Sequence, residues 1–237
     1  MDWSSKSVTR AYLDTLQLCN NHNRQYGTWR LQELGSNELV SALAAGMKAK
    51  LIVEVKSHVS LSTVALAAAA RQSGGSVVCI LPDSILDESK EVINNSGLID
   101  RVDFRTEDPS KILPYYENID FFLVDCKDEN YSKWPNLVDV NATRSIVVAT
   151  NLIGDKKGLR GCLRGKYGKL AITSRRHSLG SDMKITRICK NDDTNRRLLV
   201  RGDCSRKRKK SSWVAKFDEE SGEEHIYRVP HADWFWS

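Results

Sequence analysis

Apolar positions follow two rhythms along this 237-residue chain. Over residues 1–49 they recur every three or four places. Trp3, Val8, Ala11, Tyr12, Leu16 and Cys19 share one face, which predicts a helix started by Ser4 or Ser5 and ended by Asn20-Asn21-His22-Asn23. Residues 23–35 are polar and contain glycine, which predicts a loop. Ser36 then offers an N-cap to a second helix carrying Leu39, Val40, Leu43, Ala44 and Met47 on one side.

From Lys50 the rhythm changes to short apolar runs alternating with helical stretches. The runs Leu51 to Val55, Ser76 to Leu81, Arg101 to Arg105, Ile119 to Val124 and Ser145 to Ala149 predict five strands. Between them, Leu61 to Arg71, Ser84 to Asn95, Pro109 to Tyr116 and Asp128 to Val140 predict helices, the last one broken near Pro135. Strands that are apolar throughout and separated by helices imply right-handed crossovers and a parallel sheet covered on both faces. The fold class is therefore α/β, an open doubly wound sheet with its ligand beyond the carboxyl ends of the strands.

Beyond Gly154, two further β-type runs, Leu170 to Ser174 and Met183 to Cys189, flank a Gly-containing turn and predict an antiparallel hairpin. A second hairpin is expected from Trp213 to Phe217 and Glu224 to Val229. The expected division is an N-terminal helical segment over 1–49, the α/β domain over 50–190 and a basic loop with a β appendage over 191–237.

Composition narrows the class. Apolar residues make up 41% of the chain and charged ones 28%, enough for a full core and a solvated surface. No apolar run approaches the roughly 18–20 residues that cross a bilayer, so no membrane partner is expected. The start, Met1-Asp2-Trp3-Ser4-Ser5-Lys6, lacks the basic-then-apolar order of a secretory signal. The six cysteines are scattered, with no pair closer than 15 positions, so neither a zinc spacing nor a redox pair can be drawn. A reduced, cytoplasmic and/or nuclear location is the expectation.

The net charge of +6 is unevenly spread. From Asp155 to Arg176 there are eight Lys/Arg against one acid, and from Arg196 to Lys216 nine against one. The run Arg206-Lys207-Arg208-Lys209-Lys210 fits a docking sequence for a nuclear-import receptor. It equally fits a solvated loop balanced by the acidic patch after it, with nucleic-acid phosphates a third and less favoured partner.

Two local patterns carry a family resemblance. Glu54-Val55-Lys56-Ser57-His58-Val59-Ser60-Leu61-Ser62 follows a pattern of Glu, an aliphatic residue, Gly, three free positions, Gly, one free position and Ser. Phe121-Phe122-Leu123-Val124-Asp125-Cys126-Lys127-Asp128-Glu129-Asn130-Tyr131 follows Phe-Asp-Phe-Ile-Phe-Val-Asp-Ala-Asp-Lys-x-Asn-Tyr. With five βα units and a closing hairpin, the stretch Leu51 to Cys189 resembles the class I S-adenosylmethionine-dependent methyltransferases of the caffeoyl-CoA and catechol O-methyltransferase type. The whole chain, with its aromatic end Trp234-Phe235-Trp236, resembles a plant family of unknown function classed with them.

The resemblance implies a Rossmann-like methyltransferase fold. Its mostly parallel seven-stranded sheet is closed by a C-terminal antiparallel hairpin, with helices on both faces. It further implies S-adenosylmethionine as cofactor, a small-molecule acceptor, and Glu54, Ser62 and Asp125 around the cofactor. The departures point to an altered site. Lys56 and Ser60 stand where the family has glycines, so the Lys56 side chain must swing out to solvent or lie across the pocket. Leu81 stands where the family has the acid that holds the ribose hydroxyls, with Asp83 two positions on. Lys127 replaces a second aspartate. The family's metal-binding Asp-Asn pair falls on Thr150-Asn151, which leaves too few oxygen ligands for a hard cation, and no metal is expected.

Each candidate also has a plainer reading. Glu54 borders the cofactor, or caps the next helix or pairs with Lys56. Ser62 lies near the cofactor carboxylate, or Ser60 or Ser62 is an N-cap. His58 is a base, because imidazole titrates near neutrality, or a solvated loop residue. Asp125 faces the ligand crevice, or caps the segment from Asp128. Asn130-Tyr131 is read as structural. The expected function is a methyltransferase-like protein with an altered cofactor site. The alternative is a non-catalytic scaffold of the same fold with an interaction or regulatory role.

Overall fold

The computed structural model describes residues 3–26, 35–127, 134–152, 171–177, 183–189, 211–217 and 224–230. Seven strands form one sheet: β1 (Leu51–Val55), β2 (Ser76–Ile80), β3 (Val102–Arg105), β4 (Phe121–Asp125), β5 (Arg144–Thr150), β6 (Ala171–His177) and β7 (Met183–Cys189). Their order is β3-β2-β1-β4-β5-β7-β6. The first five pair in parallel, while β7 lies antiparallel between β5 and β6. From β1 the chain builds outward through β2 and β3, then returns to the other side of β1 with β4. That reversal opens a crevice at the carboxyl ends of β1 and β4.

Alternate residues along each strand feed two cores, as strand geometry requires. Ile52, Val77, Phe121, Leu123, Ile146 and Val148 pack toward α1 (Ser5–Tyr26), α2 (Ser36–Gly46), α3 (Ser62–Ser73) and α4 (Leu86–Asn95). Val53, Val55, Val78, Ile80, Phe122, Val124, Val147 and Ala149 face the opposite layer. That layer contains α5 (Pro109–Ile112) with Ile112 and Leu113, and the residues Trp134, Val138 and Val140. The alanine-rich face of α3 is buried from Val64 to Ala70, because small side chains let the helix lie close on the sheet.

Several elements depart from expectation for identifiable reasons. α1 does not stop at the Asn-Asn-His-Asn run but continues to Tyr26. Asparagine costs only a few tenths of a kcal/mol inside a helix, and Ala11, Thr15 and Cys19 keep one buried line along it. Ser36 is not the cap of α2. Gly35 is, at φ +100°, and its N–H donates to Glu38 Oε2 at 3.1 Å. After β4 the described residues contain one 3-10 turn, Trp134–Asn136, and residues 128–133 lie outside them. The chain is extended beyond it because Ile119 pairs with Val140 in a parallel bridge, with Ile119 N–H donating to Asp139 O.

The chain divides into two compact units, Met1–Asn191 and Asp192–Ser237. The second contains an antiparallel hairpin of β8 (Ser211–Phe217) and β9 (Glu224–Pro230). The basic run 206–210, the residues 128–133 and the aromatic end lie outside the described residues, as does the Asp155 to Arg176 cluster except for the strand carrying Arg175 and Arg176. Among the described residues no helix is long and apolar enough to cross a membrane.

Candidate functional site

A hollow of about 280 Å³ opens at the carboxyl ends of β1, β4 and β5. Its wall includes Lys56, His58, Ser60 and Ser62 from the turn into α3, Asp125 and Lys127 after β4, and Thr150 and Asn151 after β5. α2 contributes Ser36, Asn37 and Val40, and β7 contributes Met183. The second N-terminal helix is therefore part of the site, a contribution that local sequence patterns did not announce. No residue from the end of β2 lines this hollow. There, Leu81 is buried with its N–H bonded to Arg105 O, and Asp83 begins an exposed 3-10 turn.

Glu54 lies beneath the hollow and not in its wall. It is fully buried on β1, and alternation points it toward α3. Ser62 donates to its Oε1, Thr63 Oγ1 donates to Oε2 at 2.6 Å, and Cys79 Sγ reaches Oε2 at 3.5 Å. Burial, reinforced by the charge of Glu54, pushes the Cys79 thiol pKa up, so it stays a neutral donor. Neither Ser60 nor Ser62 caps α3 through its side chain. The N-cap is Leu61, and the two serine hydroxyls meet each other at 2.6 Å.

Lys56 turns inward. Its side chain keeps only 4% exposure, and Nζ donates to Thr63 Oγ1 at 2.6 Å, which joins it through one hydroxyl to the Glu54 carboxylate. Its backbone N–H continues the β1–β2 ladder by bonding Ile80 O at 3.1 Å. The amine is thus drawn down toward the start of α3, and the hollow above it stays open.

Asp125 sits on the opposite wall, also buried. Oδ1 accepts from Asn151 Nδ2 at 2.7 Å and from Lys127 N–H at 3.1 Å, while Oδ2 accepts from Ser57 Oγ at 3.2 Å. His58 Nδ1 stands 2.8 Å from the same Oδ2. Burial pushes the Asp125 pKa up, but the bonds from His58, Asn151 and Lys127 outweigh it and hold the carboxyl at about 2. Asn151 reaches it from a left-handed backbone at φ +56°, a conformation asparagine tolerates better than most residues. Sequence reading named His58 and Asp125 separately. Only the fold brings together residues 67 positions apart, and no local pattern encodes that meeting.

The donor set does not fit a hard divalent cation. Such an ion takes six or more oxygens in most protein sites. Here Asp125 already accepts three hydrogen bonds and lies against His58, Asn151 is bonded to it, and the Thr150 hydroxyl donates to Val124 O at 3.4 Å. A nucleoside cofactor is met unevenly. Lys56, Ser60 and Ser62 present polar groups at the start of α3, where backbone N–H groups also favour an anion such as a carboxylate. At the end of β2 the chain offers the buried, apolar Leu81.

The chain belongs to a family described as proteins of unknown function (DUF1442), which matches residues 1–229. No functionally curated protein matches the sequence. Among solved structures, it is similar to the O-methyltransferase TomG of Streptomyces achromogenes, involved in tomaymycin synthesis and solved with S-adenosylmethionine. That likeness has 16% identity and a TM-score of 0.53, over 79% of this chain and 91% of that one. A methyltransferase of Geobacter sulfurreducens aligns at 17% identity and a TM-score of 0.55, over 74% and 88% of the two chains. The O-methyltransferase of Bacillus cereus, solved with S-adenosylhomocysteine, aligns at 20% identity and a TM-score of 0.50, over 76% and 90%. At these identities the likeness establishes the fold, a class I O-methyltransferase fold.

Proposed function

We propose that this member of the family is an S-adenosylmethionine-dependent methyltransferase-like protein with an altered cofactor site, acting on a small-molecule acceptor in the hollow above β1, β4 and β5. The observation that carries the reading is that this hollow sits at the reversal of strand order and stays open despite Lys56, whose amine is tied to Thr63. Similar folds have been solved with S-adenosylmethionine or its demethylated product.

When bound, the cofactor supplies an electrophilic methyl group on a positively charged sulfur. The chain's own part is to hold and align the reactants, which removes much of the entropic barrier to a two-body reaction. Lys56, Ser60 and Ser62 would hold the amino-acid end, and Glu54 fixes Ser62 and Thr63 from below. With Leu81 offering nothing polar to ribose hydroxyls, the grip among the described residues rests on that end.

Calorimetric titration with S-adenosylmethionine and S-adenosylhomocysteine tests the reading. Binding tighter than about 100 μM, over roughly 5 kcal/mol, is expected, weakened at least about tenfold when Ser60→Trp fills the hollow from its rim. Silence at millimolar ligand overturns it. A second reading, a non-catalytic scaffold of this fold, is favoured by Leu81 and by the inward Lys56, and the same silence would support it.

We further propose that Arg206-Lys207-Arg208-Lys209-Lys210 docks an import receptor and places part of the protein in the nucleus. A fluorescent fusion with these residues changed to alanine is expected to leave the nucleus. An unchanged distribution removes the proposal.

A further inference from the structure

We infer that His58 is the proton acceptor of this site and that Asp125 is the residue that positions it. The inference rests on the transferase reading above and adds to it the group that activates the acceptor.

Asp125 cannot itself meet a substrate. Its carboxylate accepts from Asn151 Nδ2, the Lys127 N–H and Ser57 Oγ, and the fourth side is covered by His58 Nδ1, 2.8 Å from Oδ2 and without an aligned hydrogen-bond partner. An ionised carboxylate only accepts, so the imidazole nitrogen facing it carries the hydrogen. In the neutral ring this leaves the lone pair on Nε2. The two ring nitrogens also differ in access. Nδ1 is shielded from solvent, yet the His58 side chain keeps 40% exposure, so the exposed part of the ring lies away from Asp125.

His58 lines the hollow together with the charged groups Lys56, Lys127 and Asp125. The ammonium groups of Lys56 and Lys127 have no lone pair to offer. Among the other hydroxyls of the wall, Ser62 donates to Glu54 and Thr150 to Val124 O. Among the described residues of the wall, His58 Nε2 is therefore the nitrogen placed to offer a lone pair. In the proposed step a hydroxyl or thiol proton of the acceptor passes to Nε2, and the electron pair of the broken bond stays on the acceptor atom. The resulting imidazolium is balanced by Asp125, whose carboxylate is already in place and needs no reorganisation. The pairing also accounts for the buried acid that the fold maintains at the end of β4.

The test uses the full chain without ligand. Long-range proton–nitrogen NMR on nitrogen-labelled protein, with the His58 signal assigned by its loss in His58→Gln, is expected to show the Nδ1–H tautomer. Asp125→Asn, whose amide offers Nδ1 a donor as well as an acceptor, is expected to abolish that preference. Diethyl pyrocarbonate followed by peptide mass mapping is expected to acylate His58 ahead of the partly buried His22. Asp125→Asn should slow that reaction at a pH where the ring is unprotonated in both proteins. An Nε2–H tautomer in the unaltered chain, or a His58 reactivity no greater than that of His22, overturns the inference even where S-adenosylhomocysteine binds. Absence of S-adenosylhomocysteine binding overturns the transferase reading, and this inference with it.

Discussion

The ammonium of Lys56 donates to the hydroxyl of Thr63 across 2.6 Å, and the same hydroxyl donates to Glu54 Oε2 across 2.6 Å. A cation and a carboxylate on alternate residues of one strand end are thus joined by the second residue of the following helix. All three side chains are buried, so the network is sensitive to loss of any member. Lys56→Met keeps the bulk but leaves Glu54 without its balancing charge. It should destabilise the chain by about 3–5 kcal/mol in urea unfolding. Thr63→Val, which removes only the bridging hydroxyl, should cost about 1–3 kcal/mol. Near-neutral values for both would show that the network contributes nothing to stability.

Asp125 makes stability depend on acid. Its pKa is lowered from 3.8 to about 2 in the folded chain, so the unfolded chain binds the proton more readily. The stabilisation, about 2 kcal/mol, is present above the ordinary carboxyl value and is lost as pH falls through about 2. Asp125→Asn should therefore flatten the decline in unfolding free energy between about pH 5 and about pH 2. A variant with the same acid dependence as the unaltered chain would remove Asp125 from this role.

Asp120 supplies a control remote from the hollow. Its Oδ2 accepts from the Lys50 N–H at 2.8 Å and its Oδ1 from Asn141 Nδ2 at 3.1 Å, at the amino ends of the strands. Asp120→Ala removes a buried acceptor from those part-buried donors and should cost about 1–3 kcal/mol. Ligand affinity, measured by calorimetry on the folded fraction, should stay unchanged. A matching loss of affinity would mean the two ends of the sheet are coupled.

Gly75 marks a close approach between the α3–β2 turn and the strand before it. A Cβ there would lie 2.5 Å from Ala49 O and 2.7 Å from Lys50 O, both backbone atoms. Gly75→Ala must push the turn off β1, and a loss of about 1–3 kcal/mol is expected in thermal or urea unfolding. Gly97→Ala is the contrast. It has open space around it but a φ of +68°, so its cost comes from backbone strain alone, about 1–2 kcal/mol.

Much of the architecture was legible in the residues themselves. Runs such as Leu51–Val55 and Phe121–Asp125, apolar except for one acid near the carboxyl end, are satisfied when both faces of a strand are covered, and the helical stretches between them supply that cover. Met183–Cys189 was read to its ends for a different reason, since a β-rich run after a Gly-containing turn leaves little choice. Element limits were less legible where packing overrode local preference. α1 runs through its asparagines, and the segment before Val140 is held extended by Ile119.

The chemistry of the site was a matter for the tertiary structure. Sequence alone marked Lys56 as misplaced for a glycine position but left two directions open to it. Burial against Thr63 chose between them, because an ammonium near a buried carboxylate is far cheaper than one without a partner. Glu54 and Asp125 looked alike as strand-end acids. Alternation and the path of α3 put one beneath the hollow with its oxygens taken by hydroxyls and a thiol, and the other in the wall against His58. Periodicity along a chain determines which residues share a face. Which of them meet across the sheet depends on strand order and register, and these are properties of the folded whole.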